Sequence, residues 1–302
     1  MTQELAPPET WLVTGAGGQL GAALVDHLGH RGVRVVGRDS SLDVCDSAAV
    51  AAQLEASGPA PRALLNAAAY TDVDGCEREP ARAEAVNAVA PGRLAELCRS
   101  TGTRFVHVST DFVFDGRGDQ PLREDAPEAP LSIYGATKLA GERAVRDASP
   151  EALVVRTAWV FGRGKNFLAA ITRKARELAR AGEGAGLRVV ADQFGSPTYA
   201  EDLAPALVAL VESGSTGLYH VANRGQASRI ELARFALSCA GLAVPCEPVT
   251  TSEYPLPAER PLYSVLDCEK ADRAGVTLRG WREAVSDYLD SDFSPLAEIG
   301  GA

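Results

Sequence analysis

Residues 11–21 read Trp11-Leu12-Val13-Thr14-Gly15-Ala16-Gly17-Gly18-Gln19-Leu20-Gly21, and an apolar helical pattern continues to Leu28. A short apolar run that enters a glycine-rich turn and leaves as a helix is the opening unit of a parallel α/β sheet. The glycines fall at Gly15, Gly18 and Gly21, a G-x-x-G-x-x-G spacing rather than the standard G-x-G-x-x-G dinucleotide fingerprint. Such a turn lets backbone N–H groups approach a pyrophosphate. The helix opening at Gln19 and Leu20 offers the anion about half a unit of positive charge. The competing reading is a tight turn with no ligand. Its place directly after an N-terminal strand favours the dinucleotide.

Outward from this turn, short apolar runs alternate with helical patterns. Strands are predicted at Trp11–Thr14, Val33–Gly37, Ala63–Asn66, Phe105–Ser109, Leu153–Thr157 and Arg188–Val190. Helices are predicted at Gln19–Leu28, Ala81–Arg99 and Tyr134–Val145. Strands separated by helices read as right-handed βαβ units, hence an α/β, doubly wound parallel sheet of Rossmann type. A smaller C-terminal substrate-binding domain is predicted to interleave with it. The dinucleotide-binding domain takes residues 1–157 and 188–222, and the substrate domain 158–187 and 223–302. Gly182–Gly186 reads as a turn. After Asn223, Pro245, Pro248, Pro255, Pro257 and Pro261 break the pattern, which suggests a loop-rich cap on a cleft. The tail from Ser291 reads as frayed.

The chain has 302 residues, with 30 basic and 40 acidic side chains and a net charge of −10. That balance argues against a nucleic-acid partner, which needs a basic face. No apolar run approaches the ~20 residues that span a bilayer, and Met1–Thr10 has no apolar signal core. A cytoplasmic protein with no membrane partner is expected. The six cysteines form no C-x-x-C pair, and His27 and His30 have no third ligand nearby. The cysteines therefore read as small reduced hydrophobes, and no metal is expected.

The second strand ends Gly37-Arg38-Asp39. Asp39 suits the ribose hydroxyls of NAD, whereas Arg38 suits the 2′-phosphate of NADP. The pair leans to NADPH, with NADH also usable. Asp43 and Asp46 either approach the adenine or cap the next helix. Farther on, Tyr134-Gly135-Ala136-Thr137-Lys138 sets a phenol and an ammonium on one helical face. A neighbouring cation lowers a phenol's pKa and brings proton transfer into range. Y-x-x-x-K alone is common by chance. Here the fourth strand ends Ser109-Thr110-Asp111, and strand carboxyl ends line the crevice of a parallel sheet. Hydroxyl, tyrosine and lysine behind a glycine turn form a hydride-transfer constellation.

The sequence now resembles the extended short-chain dehydrogenase/reductases, and within them the dTDP-4-dehydrorhamnose reductase family of deoxysugar 4-ketoreductases. The matching segments are Thr14–Gly21, Asn66–Asp74, Val86–Ala88, Val108–Asp115, Tyr134–Glu142, Arg156–Phe161, Asp192–Thr198, Arg260-Pro261 and Ser264. They cover roughly residues 11–290. The resemblance implies a dTDP-sugar substrate, with Tyr134 as proton donor, Lys138 on the nicotinamide ribose and Thr110 on the carbonyl oxygen. Asp111 and Trp159 would sit against the sugar. Asn66, Ala67, Ala68, Ala69 and Tyr70 would lie along the cofactor. Asn166, Gln193 and Arg260 would serve the nucleotide or pyrophosphate end. The bland alternatives are core packing for Trp159, a loop hydrogen bond for Gln193 and surface charge for Arg260. A homodimer is a candidate assembly.

Two positions depart from the family pattern. Phe112 stands where many relatives carry tyrosine after Ser-Thr-Asp. Some members bridge subunits through a carboxylate-bound metal; Glu201 fits one contributor, but the first helix offers Ala22 and Ala23 where another acid is needed. The rival functions are a sugar-nucleotide dehydratase or epimerase, an antibiotic-pathway 4-ketoreductase, and a non-catalytic dinucleotide-binding regulatory subunit. A dehydratase needs an acid and a base near the sugar; the resembling dehydratases place Asp-Glu after the hydroxyl residue, whereas here the pair is Asp111-Phe112, and Phe112 cannot take a proton.

Overall fold

In the computed structural model the structure describes residues 9–57, 61–182 and 186–296. The chain opens with β1 (Thr10–Thr14), α1 (Gln19–His30), β2 (Arg34–Arg38), α2 (Ser47–Ala56) and β3 (Ala63–Asn66). Two short helices, α3 (Val73–Arg78) and α4 (Pro80–Ala83), then a π-helical turn at Glu84–Val89 and α5 (Ala90–Thr101) follow. Next come β4 (Arg104–Thr110), α6 (Ile133–Ala148), β5 (Leu153–Thr157), β6 (Val160–Phe161) and α7 (Phe167–Ala181). They are succeeded by β7 (Leu187–Val190), β8 (Phe194–Gly195), β9 (Thr198–Tyr199), α8 (Ala200–Glu212) and β10 (Gly217–His220). The chain ends with β11 (Ala227–Ser228), α9 (Arg229–Cys239), β12 (Cys246–Val249), α10 (Glu269–Arg273) and α11 (Trp281–Asp290).

The central sheet has six strands in the order β10-β5-β4-β3-β1-β2, all parallel. The order reverses between β1 and β3, and a crevice opens there beyond the strand carboxyl ends. Alternate residues of each strand face opposite layers. Trp11, Val13, Leu65, Val106 and Val155 pack with α1 and α8, while Leu12, Leu64, Phe105 and Val154 pack with α2 and α5. A third cluster, with Phe161, Leu168, Tyr199, Trp281 and Tyr288, forms the core of the C-terminal part.

Four features differ from the sequence expectations. Arg188–Val190 does form a strand, but β7 pairs with β12 as a separate ribbon, and β10 takes the sixth place in the sheet. The predicted helix 81–99 is broken by the π-helical turn. Pro91 has no N–H to donate to the Asn87 carbonyl four residues back. The Asn87 side chain meanwhile accepts from Tyr70 N (2.8 Å) and donates to Tyr70 O (3.0 Å). Beyond Asn223 the chain is more helical than expected. Ser228 and Glu231 form a reciprocal capping box that starts α9. The tail does not fray at once: Phe293 packs on the third cluster and Ser294 is buried. Residues 297–302, and 183–185 of the expected turn, lie outside the described residues. Among the described residues no helix is long and apolar enough to cross a membrane.

Helix α6 carries the tyrosine and lysine, and its seating is tight. A Cβ on Gly141 would stand 2.1 Å from the Asn87 carbonyl oxygen, whereas one on Gly29 in α1 would meet nothing within 4 Å. Gly141→Ala is expected to cost ~1–3 kcal/mol by overpacking, and Gly29→Ala to add ~0.4–1 kcal/mol. Urea unfolding of both variants checks this pair of opposite signs.

Candidate functional site

The glycine turn is built as its spacing requires. Gly15 has φ +70°, and a Cβ there would lie 2.6 Å from Ala68 N; one on Gly21 would lie 2.0 Å from the Gly15 carbonyl oxygen. Only glycine fits either position. The turn forms one end of a cleft of about 1420 Å³ that runs over the sheet edge to Trp159, Arg229 and Arg260. Backbone this close, at the start of a helix, is a cradle for a dinucleotide's phosphates.

At the adenosine end the structure separates two residues that the sequence left together. Asp39 and Asp43 line the cleft. Asp39 accepts from Ser41 N at 2.9 Å, and that bond holds its carboxyl below the usual range. Arg38 is not among the lining residues. Its Nε donates to Gln53 Oε1 (2.6 Å) and its guanidinium to the Gly37 carbonyl (3.2 Å). Asp46 caps α2, donated to by Ala48 N and Ala49 N.

The proton-handling groups converge at the end of β4. Thr110 Oγ1 donates to Asp111 Oδ1 (3.0 Å) and accepts from Phe112 N (3.2 Å). The Tyr134 phenol is turned toward the same hydroxyl on the cleft wall, and Phe112 packs edge-on against its ring at 5.4 Å. Ser132 caps α6, its hydroxyl accepting from Gly135 N, which sets the phase that brings Tyr134 and Lys138 inward. Lys138 Nζ donates to the Val108 carbonyl at 2.7 Å. Burial pushes the Lys138 ammonium down to about 8. The expectation that a cation lowers the Tyr134 pKa does not hold in this structure: burial raises it, the Thr110 hydroxyl opposing. A phenol with a raised pKa keeps its proton, and that is the form a general acid needs.

Asp111 is fully enclosed. Ser264 donates to its Oδ2 at 2.5 Å, and burial lifts its carboxyl to about 6 against these bonds and the Arg229 charge. Trp159 reaches the cleft in a left-handed conformation, φ 46°. Its indole lies so close to Gly195 that a Cβ there would be 2.4 Å away. The Arg229 guanidinium stacks 3.5 Å over the indole centroid. Arg260 lines the cleft and pairs with Asp74 through both nitrogens, at 3.1 and 2.9 Å.

Of the remaining expected residues, Ala67, Ala68 and Ala69 line the cleft. Asn66 lies buried beneath it, and the Tyr70 hydroxyl turns away to Glu79 at 2.6 Å. The Gln193 side-chain amide donates to Thr251 Oγ1 outside the cleft, while its backbone carbonyl accepts from Arg229 N. Asn166 is an N-cap: Oδ1 accepts from Ala169 N, and Nδ2 donates to the Gly162 carbonyl and Tyr288 Oη. Its polar atoms are spent on holding α7 in place. Arg229 was not foreseen. The S-x-x-E pattern at Ser228–Glu231 marks a helix start, yet nothing in it shows that the first side chain enters a cleft.

A family model described as the RmlD substrate binding domain matches residues 9–293. The chain belongs to this family. A dTDP-4-dehydrorhamnose reductase of Mycolicibacterium smegmatis is 45% identical, the match covering 92% of this chain and 84% of that protein. A probable dTDP-4,6-dihydroxy-2-methyloxan-3-one 4-ketoreductase of Streptomyces antibioticus is 41% identical over 94% and 97% of the two chains. Among solved structures, a dTDP-4-dehydrorhamnose reductase of Bacillus anthracis in complex with NADP superposes with a TM-score of 0.88 at 32% identity, covering 94% and 99%.

Asp111 yields a pH-dependent stability. An aspartate titrates near ~3.9 when unfolded, and here it titrates at about 6. Between those values the native state binds more protons, so stability falls as pH rises through the window. Asn at this position has no such penalty. Asp111→Asn is therefore expected to gain ~1–3 kcal/mol relative to wild type between pH 4 and pH 7. Urea midpoints across that range check it, and a pH-independent difference would contradict it.

Proposed function

We propose that this protein is an NADPH-dependent reductase of the 4-keto group of a dTDP-4-keto-6-deoxyhexose, taking dTDP-4-dehydro-L-rhamnose to dTDP-L-rhamnose. The observation that carries this reading is that Thr110, Tyr134 and Lys138 line the same cleft as the glycine turn, with Lys138 held by the Val108 carbonyl. NADPH, cradled by the Gly15–Gly21 turn, supplies the hydride to carbon 4. Thr110 and Tyr134 hold the carbonyl oxygen. As carbon 4 becomes tetrahedral, Tyr134 Oη gives its proton to the forming alkoxide, and the product is the alcohol. Residues 158–187 and 223–302 form the substrate part, and two copies of the chain form a homodimer.

The cleft's charge suits the substrate. Lys138, Lys165, Arg82, Arg163, Arg229 and Arg260 line it, against Asp39, Asp43 and Asp111, in a chain of net charge −10. Local cations in an acidic protein fit two diphosphates, one on the cofactor and one on the sugar. Trp159 gives a 6-deoxy sugar an apolar wall. A contact from Arg38 to the 2′-phosphate of NADPH would require its side chain to leave Gln53. The Streptomyces antibioticus relative favours a second reading, a tailoring reductase acting on the same carbon of a related sugar.

Incubation with a panel of dTDP-4-keto-6-deoxyhexoses and NADPH, with products resolved by chromatography, tests this. The expected result is dTDP-L-rhamnose from the 4-dehydrorhamnose substrate, with the free sugar a very poor substrate because remote binding energy supports the chemical step. No reduced sugar across the panel would overturn the reading and favour a regulatory dinucleotide-binding role. Tyr134→Phe is expected to lower turnover by ~10²–10⁴-fold while NADPH binding stays near wild type, because only the proton donor is lost. A variant within threefold of wild type would remove Tyr134 from the mechanism.

A further inference from the structure

Beneath the cleft floor the parallel register lines up three polar side chains across the sheet. Thr14 of β1 is the register partner of Asn66 on β3, and Asn66 is the partner of His107 on β4. The line continues to Lys138 on α6. Exposure is 2% for Thr14, 1% for Asn66, 0% for His107 and 2% for Lys138. Thr14 Oγ1 donates to Asn66 Oδ1 at 2.7 Å, Asn66 Nδ2 faces His107 Nδ1 at 3.1 Å, and His107 Nε2 lies 3.4 Å from Lys138 Nζ. Polar groups so deeply buried are costly unless each is satisfied.

An ammonium has three protons and no lone pair. One goes to the Val108 carbonyl at 2.7 Å. A second points at His107 Nε2, and that nitrogen must be bare to receive it. Burial and the Lys138 charge hold His107 neutral, so its single proton sits on Nδ1. A half-turn of the Asn66 amide then presents Oδ1 to that N–H and Nδ2 to the Thr14 hydroxyl, the side-chain plane unchanged. The opposite tautomer would set N–H against ammonium N–H. An amide does not take up a further proton at these pH values, so the line orients Lys138 and does not conduct.

We propose that His107, as its Nδ1–H tautomer held by Asn66 and Thr14, is a positioning residue that fixes the Lys138 ammonium with its third proton aimed into the cleft. This rests on the reductase function proposed above. The titratable and charged groups around Lys138 are His107 on β4, Tyr134 one turn earlier on α6, and Glu142 one turn later. Glu142 is itself paired with Arg156 of β5 at 2.7 Å.

Three variants separate this role from simple packing. Gln can place an amide oxygen where Nε2 stands, Asn reaches only the Nδ1 position, and Phe keeps the ring without nitrogen. Turnover is expected within threefold of wild type for His107→Gln. It should fall about 10–100-fold for His107→Asn and His107→Phe, the scale of a lost bond to a charged group. In those two variants the alkaline limb of the turnover profile should move to lower pH, because the ammonium has lost an acceptor. Equal effects of Gln and Asn, or an unmoved limb, would overturn the proposal. Nitrogen-15 NMR of histidine-labelled wild type, with His107 assigned from the His107→Gln spectrum, should show Nδ1 protonated and Nε2 bare; the reverse would also overturn it. Should the wild type reduce no sugar, the proposed function fails, and the tautomer still decides this proposal by itself.

Discussion

Everything in the cleft depends on how closely the first turn lies against the end of β3. Gly15 occupies a place where any side chain would enter the Ala67–Ala68 backbone, and Gly21 abuts the Gly15 carbonyl in the same way. This contact closes the gap at the strand-order reversal, directs the N-terminus of α1 at the crevice, and makes Ala67–Ala69 a smooth wall beside it. A Cβ here would push β1 and β3 apart. It would also disturb the register that aligns Thr14, Asn66 and His107 beneath Lys138. The glycine turn and Lys138 are thus supported by one piece of backbone packing.

Burial sets the chemistry of the proton-handling groups. It raises Tyr134, lowers Lys138 and raises Asp111, pushing all three toward their neutral forms. For reduction this is the useful direction, since the phenol must arrive carrying its proton. Lys138 keeps its charge near neutral pH because the Glu142 carboxylate opposes the burial, and the Val108 carbonyl accepts one ammonium proton. Phe112 contributes by packing against the Tyr134 ring, and its lack of a titrating group leaves no base at that position for water elimination.

Much of this was legible in the sequence, for definable reasons. Strands β3 and β5 fall where the apolar runs place them, because fully buried parallel strands leave continuous apolar runs between breaks. The convergence of Thr110, Tyr134 and Lys138 on one cleft was legible because tyrosine and lysine four apart share a helix face, and strand ends face the crevice. What failed depends on partners distant in sequence. The place of β7 is decided by β12, about sixty residues on. The break at Glu84–Val89 needs both Pro91 and the grip of Asn87 on Tyr70. Asn166 and Gln193 matched a family pattern, yet their amides serve a helix cap and a loop bond. Arg38 showed its charge in the sequence but not its attachment to Gln53.

The sugar end carries strain that its neighbours hold in place. A non-glycine residue at φ 46° costs on the order of 1–3 kcal/mol, and Trp159 is the only such residue among those described. Gly195 leaves the space that the indole fills, and Arg229 covers its other face. The Gln193 backbone carbonyl accepts from Arg229 N and so fixes the start of α9, from which the Arg229 side chain enters the cleft. Across the cleft, Asp74 in the first turn of α3 accepts from Arg260 and from Ala258 N, tying the C-terminal segment to that helix. The two-point contact between these partly buried side chains holds its geometry better than a single solvated surface contact. Arg260 is thereby fixed on the wall, whereas Arg229, stacked on Trp159 and free of any carboxylate pair among the described residues, keeps its charge available to a ligand.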